Sequence, residues 1–338
     1  MKQYNVGILG ATGLVGREIL NLLLARNFPV RELIPLASAR SAGTIQTFGD
    51  KSITVQEATP IAFKDIDILF ASAGGSISRA FVPTAVKSGC VVIDNTSAFR
   101  MEADVPLVVP EVNAHALKYH KGLIANPNCS TAQLVVALKP LHEAFTIKRL
   151  VVSTYQAVSG AGNQAVSELY MQSEQILSGQ KAHAQVLPAQ IAFNVIPYIG
   201  SFLENGYTDE EMKMTHEVAK IMEAEIPTCA TCIRVPVANG HSESVNIEFA
   251  QPVSPAAVRK ALAAAPGIVV QDDPNERHFP MPQMISGTDP VYVGRIRRDV
   301  SHPCGINMWV VADNLRKGAA LNAIQIAESL IVQDLLSR

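Results

Sequence analysis

Val6-Gly7-Ile8-Leu9-Gly10-Ala11-Thr12-Gly13-Leu14-Val15-Gly16 is the stretch whose reading decides the fold. A short apolar run enters a turn with glycines at positions 10, 13 and 16. A helical pattern follows from Arg17 to Arg26, with Ile19, Leu20, Leu22, Leu23 and Leu24 apolar. Strand, glycine-rich turn and helix in that order form the context in which GxxGxxG acts as a variant of the dinucleotide fingerprint. The glycines let backbone approach a pyrophosphate, and the helix N-terminus supplies aligned N–H groups. Gly10, Thr12, Gly13, Leu14 and Val15 are therefore candidate cofactor contacts. A glycine-rich turn that binds nothing is the plainer alternative.

Outward from this turn, Leu33 to Ala37, Ile66 to Ala71, Val91 to Asp94 and Leu107 to Val109 are further short apolar runs. Such runs separated by helical patterns predict a parallel sheet covered on both faces, an α/β unit of Rossmann type. The second strand runs into Ser38-Ala39-Arg40-Ser41. An NAD site usually carries an acid there for the ribose hydroxyls, whereas Ser38, Arg40 and Ser41 suit a 2′-phosphate. Glu32 is read as lying before the strand, at the wrong end. NADP(H) is the expected cofactor; a solvated polar turn is the alternative.

Beyond Cys129 the pattern changes. Leu150 to Ala157, Ile233 to Val237, Ser244 to Ala250, Val291 to Ile296 and Met308 to Val311 read as strands. Gln164 to Leu177 and Asp209 to Glu223 read as helices. Long strands with few intervening helices predict a mixed or antiparallel sheet. Ala319 to Leu336 reads as a long amphipathic helix that packs back onto the first domain. The expected domains are 1–128, completed by the terminal helix 319–338, and 129–318. Ser178 to Gln185 and Asp272 to Pro282 are the expected loops.

The chain has 338 residues, 48% hydrophobic and 17% charged, enough apolar material for sizeable cores. Its 28 basic and 30 acidic side chains nearly cancel, so no bulk attraction to nucleic acid or an anionic membrane follows. No apolar window is long enough for a membrane span, and the N-terminus reads as a strand rather than a signal peptide. A cytoplasmic protein is expected.

Five cysteines, Cys90, Cys129, Cys229, Cys232 and Cys304, do not make a disulfide framework. Cys229 and Cys232 form a CxxC pair without partner ligands, so no metal is expected. Cys90, at the start of an apolar strand, should be buried. Cys129 differs. It follows Asn126-Pro127-Asn128 and opens an apolar helix. Pro127 disfavours helix at Asn126, and Asn128 is a good N-cap. The helix dipole and free N–H groups of a first turn favour a thiolate and could bind a developing oxyanion.

Several stretches, in order along the chain, closely resemble the aspartate-semialdehyde dehydrogenase family. They are Gly10 to Gly16, Asn95-Thr96-Ser97-Ala98-Phe99-Arg100, Val109-Pro110-Glu111-Val112-Asn113, Asn126 to Thr131, Ser153 to Gly162 and His241-Ser242-Glu243-Ser244. The resemblance implies a second domain of α+β type, catalytic and dimerising, like that of glyceraldehyde-phosphate dehydrogenase. It implies reduction of 4-phospho-L-aspartate to L-aspartate 4-semialdehyde with NADPH, through a thioester on Cys129 and with release of inorganic phosphate. His241 becomes the acid/base among eight histidines, and Gln156 orients the substrate beside the thiol. Arg234 would hold the substrate carboxylate, a task that suits a bidentate guanidinium. Arg100 and Lys213 would hold the phosphate, and Glu210 the amino group. Ser159, Gly160 and Asn314 would contact the nicotinamide part of the cofactor. A homodimer or a dimer of dimers is implied, in lysine, threonine and methionine biosynthesis. The chain departs from the family wording at Asn239-Gly240, at Cys229, and in a Leu177 to Phe193 region shorter than in some relatives. N-acetyl-glutamyl-phosphate reductase is the nearest rival enzyme, and a catalytically dead paralogue the rival of another class.

Overall fold

The computed structural model describes residues 2–336. It divides into two compact units, residues up to Asn128 together with those from Ala319, and Cys129–Gly318.

In the first unit β1 (Tyr4–Leu9) is buried along its whole length, as expected of a strand covered on both faces. It is followed by α1 (Leu14–Ala25), whose Ile19, Leu20, Leu22 and Leu23 are buried. Then come β2 (Val30–Ala37), a hairpin of β3 (Ile45–Phe48) and β4 (Lys51–Thr54), β5 (Gln56–Glu57), β6 (Ile68–Ala71), α2 (Gly75–Lys87), β7 (Val91–Asp94), α3 (Pro110–Asn113) and β8 (Leu123–Ala125). The sheet order is β5-β2-β1-β6-β7-β8, and every pairing is parallel. Counting only its own strands, this is the 3-2-1-4-5-6 order of a doubly wound dinucleotide-binding sheet.

Three expectations need correction here. Leu107–Val109 is not a strand: Leu107 makes a single bridge to Ala125, and Pro110 at once begins α3. The sixth strand is β8, three residues long, too short to show a pattern. Glu32 lies within β2, not before it, although it remains at the end remote from Ser38. The terminal segment is not one uninterrupted α-helix. A π-helical turn, Arg316–Ala320, precedes α9 (Leu321–Val332); residues 337–338 lie outside the described residues. Ile324, Ile326, Ala327 and Leu330 of α9 join the core formed by Ile8, Leu20 and Ile68. Arg26 clamps Glu328 with two bonds of 2.8 Å.

The second unit contains α4 (Cys129–Phe145), β9 (Ile147–Gln156), α5 (Asn163–Leu177), α6 (Asp209–Met222), β10 (Thr228–Arg234), β11 (His241–Phe249), α7 (Pro255–Ala263), β12 (Ile268–Val270), α8 (Pro282–Ile285), β13 (Val291–Arg298) and β14 (Gly305–Ala312). The sheet order is β10-β9-β11-β14-β13-β12. The outer pairs β10–β9 and β12–β13 are parallel, and the inner pairings antiparallel. A mixed sheet is the expected result. The strand predicted at Ile233–Val237 instead runs Thr228–Arg234, ending before Pro236, which cannot donate to a ladder. That placement separates the CxxC pair: residues three apart on a strand point to opposite faces. Cys229 meets the Tyr207 hydroxyl at 3.5 Å, and Cys232 meets Met214 Sδ at 3.7 Å. No group of three or more His, Cys, Asp or Glu could hold a metal among the described residues, and no described helix is long and apolar enough to cross a membrane.

Candidate active site

In the first unit a cavity of about 510 Å³ is lined by Gly10, Thr12, Gly13, Ser38, Arg40 and Ser41, among others. Gly10 has φ of 93°, and a Cβ there would lie 2.8 Å from the Ser72 carbonyl carbon. At Gly16 a Cβ would collide with the Gly10 carbonyl oxygen and come within 2.8 Å of Ala11 Cα. These two glycines fold the turn tightly against the sheet. Leu14 and Val15 begin α1 but are not part of the cavity lining, and Val15 packs on the core. What they can offer a phosphate is backbone N–H. Glu57 lines the same cavity, carried in by β5 beside Ala37. The sequence reading missed it because it sought an acid only on the second strand. Glycines and a helix N-terminus suit a pyrophosphate, so the donor set fits a nicotinamide dinucleotide, with Arg40 between two serines and the acid Glu57 lining the same cavity.

In the second unit the reactive groups gather at one end of the sheet. The parallel strands β10 and β9 finish together, with Arg234 paired to Gln156, and β11 begins at His241 rather than after a loop. Helix α4 begins at Cys129 itself. His241 Nε2 lies 3.2 Å from Cys129 Sγ. The Ala157 N–H donates to His241 Nδ1 at 3.0 Å. A nitrogen that accepts cannot carry the proton, so the neutral imidazole bears it on Nε2, facing sulfur. Burial, reinforced by the Arg234 charge, pushes the His241 pKa well below the ordinary histidine value and keeps the ring neutral.

Arg234 Nη1 donates to the Ala157 carbonyl at 2.8 Å. One peptide residue therefore orients both the imidazole and the guanidinium, a role for Ala157 that no side-chain pattern could signal. Burial pulls the Arg234 pKa below its usual value, while Cys129 and Glu210 act in the opposite direction. Gly160 packs closely on the site: a Cβ would stand 3.1 Å from Arg234 Nη1 and 3.2 Å from His241 Nε2, so both side chains would have to shift slightly to admit one. At Gly318 the packing on Cys129 is tighter still, since a Cβ there would lie 2.7 Å from Cys129 Cβ. The sequence reading did not single out Gly318.

Gln156 Nε2 reaches Glu210 Oε1 at 3.3 Å, and Lys213 Nζ bonds Asp209 at 2.6 Å and Glu210 at 3.3 Å. Burial would lower the Lys213 pKa, but Glu210 and Asp209 outweigh it and the value is raised. A capping box fixes the start of α6. Thr208 Oγ1 accepts from the Glu211 N–H, and Glu211 Oε2 accepts from the Thr208 N–H; such caps stabilise a helix by about 1 kcal/mol. Asn314 Nδ2 donates to Ser159 Oγ at 2.9 Å, and Asn314 Oδ1 accepts from the Gly240 N–H at 2.8 Å. Asn239 also meets Ser159 Oγ, at 3.1 Å. Thus Cys129, His241, Gln156, Arg234, Glu210, Lys213, Ser159, Gly160 and Asn314 form a connected set in this unit. Arg100 belongs to the first unit, where it is buried and its guanidinium donates to the carbonyls of Asn126 at 2.9 Å and Asn95 at 3.0 Å.

Residues 5–120 match the family model for the semialdehyde dehydrogenase NAD binding domain, and residues 138–317 that for the semialdehyde dehydrogenase dimerisation domain. An aspartate-semialdehyde dehydrogenase of Aquifex aeolicus (strain VF5) is 53% identical over 338 residues, covering 98% of this chain and 99% of that protein. The crystal structure of aspartate semialdehyde dehydrogenase II complexed with ASA from Vibrio cholerae is 47% identical, with a TM-score of 0.95 over 98% of this chain and 99% of that one. The aspartate semialdehyde dehydrogenase with NADP from Candida albicans is 30% identical, with a TM-score of 0.77 over 98% and 99%.

Proposed function

Because this chain belongs to the aspartate-semialdehyde dehydrogenase family, we propose that it interconverts 4-phospho-L-aspartate and L-aspartate 4-semialdehyde with NADP(H), through a thioester on Cys129. The observation that carries this reading is the 3.2 Å approach of His241 Nε2 to Cys129 Sγ at the first residue of α4.

Cys129 Sγ, as thiolate, attacks the acyl carbon of the phosphorylated substrate. The carbon–oxygen bond to phosphate breaks, and inorganic phosphate leaves. NADPH, when bound, supplies the hydride that takes the thioester to the aldehyde level. The thiolate then leaves as aldehyde is released. Splitting the reaction through a covalent intermediate replaces one difficult step by easier ones. His241 holds its proton at Nε2, where it steadies first the thiolate and then the carbonyl oxygen as charge develops. With Nδ1 committed to Ala157, this narrows the acid/base role that the resemblance implies to donation from one stated atom.

Arg234 has a guanidinium edge left after its bond to Ala157, suited to the substrate carboxylate. Glu210 takes the amino group and Gln156 orients the chain beside sulfur. Arg100 and Lys213 hold the phosphate. Gly10, Thr12, Gly13 and the N–H groups of Leu14 and Val15 hold the cofactor pyrophosphate, and Ser38, Arg40 and Ser41 its 2′-phosphate. Ser159, Gly160 and Asn314 meet its nicotinamide end. The product serves lysine, threonine and methionine biosynthesis in the cytoplasm, and the working form is a homodimer or a dimer of dimers.

Incubating the purified protein with aspartate semialdehyde and phosphate, with each nicotinamide cofactor separately, tests the reading. Phosphate-dependent NADPH formation, with NAD much poorer, is the expected result. Equal rates with NAD would remove the role given to Ser38, Arg40 and Ser41.

A further inference from the structure

Glu243 follows His241 by two residues on β11, so both side chains leave the same face of the strand. Cys129 and Gln133 are four residues apart on α4 and share a face of that helix. Two contacts therefore stack between α4 and β11. His241 meets Cys129 in front, and Glu243 meets the Gln133 amide behind. Gln133 Nε2 also reaches the His241 carbonyl oxygen at 3.4 Å, which ties the rear pair to the front one.

The rear pair has no charge partner. Glu243 is fully buried, and neither of its carboxyl oxygens has a hydrogen-bond partner of good geometry; the same holds for Gln133 Oε1. The sheet register places Thr154 of β9 on one side of Glu243 and Val310 of β14 on the other. The titratable group that shares its field is Cys232 of β10, whose thiol burial raises and whose own acidic neighbours are Glu210 and Glu211 of α6. No cation faces Glu243 among the described residues. An ionised carboxylate in such a place would be a bare charge in low dielectric, which proteins avoid by keeping the proton.

We propose that Glu243 is a positioning residue that works as a neutral carboxylic acid: packed uncharged behind the Gln133 amide, it keeps Gln133 on the His241 carbonyl and so fixes the imidazole against Cys129 Sγ. Its role rests on reading Cys129 and His241 as the reacting pair. Burial, opposed only by the Gln133 contact, pushes the Glu243 pKa well above the usual carboxyl range. In the unfolded chain the same group ionises above about pH 4.3. The stability tied to its proton is therefore full below that value and is lost as pH rises towards the folded-state value. An amide at position 243 keeps the shape and a donor but has no proton to lose.

The experiment compares the wild-type protein with Glu243→Gln and Glu243→Ala, all as the full chain. Infrared difference spectra of wild type against Glu243→Gln at pH 7 should contain a protonated carboxyl band. The melting temperature of Glu243→Gln should rise relative to wild type as pH goes from 5 to 8. Alkylation of Cys129 by iodoacetamide should keep its rate and pH profile in Glu243→Gln and change in Glu243→Ala. Turnover should stay within about threefold of wild type in Glu243→Gln and fall at least about tenfold in Glu243→Ala, in kcat rather than in KM for the cofactor. A Glu243→Gln variant as impaired as Glu243→Ala, or a carboxylate band in place of the protonated one, overturns the proposal. The infrared, melting and alkylation readouts need no substrate, so they judge Glu243 even if aspartate semialdehyde is not turned over.

Discussion

At the end of β1 the chain puts backbone where side chains would obstruct, whereas at the end of β9, β10 and β11 it puts side chains and uses backbone to aim them. The nucleotide cradle is a continuous turn in which Gly10 and Gly16 matter for what they lack. The reactive end draws Cys129, Gln156, Glu210, Arg234 and His241 from five separate elements, and the Ala157 peptide fixes two of them. The cradle therefore tolerates polar exchange but not bulk. The reactive end is expected to tolerate neither, because Gln156, Glu210, Arg234 and His241 are buried and Cys129, only half-buried, is held against His241.

Removing sulfur should sharpen this contrast most. Cys129→Ala is expected to cut turnover by about 10⁴-fold or more, as loss of a covalent nucleophile does, while NADP binding measured by fluorescence titration is unchanged. A variant that lost both together would break the comparison, since it would make the thiol part of the cradle's integrity.

Bulk in the cradle comes next. Gly16→Ala adds a methyl group against the Gly10 carbonyl and Ala11 Cα, an overpacking worth about 1–3 kcal/mol. Thermal melting should fall accordingly and cofactor affinity should weaken, with Cys129 alkylation unaffected.

Exchange of a polar group should matter least. Arg40→Ala is expected to raise the KM for NADP by about 10-fold, the scale of one charge-assisted hydrogen bond, and to leave NAD kinetics alone. If both cofactors suffered equally, Arg40 would not be reading the 2′-phosphate. Glu57 in the same cavity makes this a test of which charge governs the choice.

The contrast also explains what was readable in advance. The cradle's glycines, strand and helix fall within one short stretch, so their spacing exposed the Rossmann-like sheet. Cys129 was legible because helix-start signals, Asn128 and the apolar run beyond it, are local, and α4 does begin there. His241, Arg234 and Gln156 could be named only through the family resemblance; nothing local tells a strand-end histidine from any other, and the convergence arises from sheet register. The brief β8, the hairpin of β3 and β4, and the contribution of Glu57 escaped because strands of two to four residues carry little periodicity. The Ala157 peptide and the space kept by Gly318 escaped because they act through backbone geometry. The CxxC spacing is local in the sequence, but in three dimensions the two thiols are split across a strand.

The proposed chemistry requires that the Cys129 sulfur become acylated. Enzyme supplied with aspartate semialdehyde and NADP but no phosphate, quenched in acid and digested, should yield an aspartyl adduct on the peptide carrying Cys129 by mass spectrometry, and adding phosphate before the quench should clear it. An adduct on another residue, or none at all while the enzyme still turns over, would contradict it.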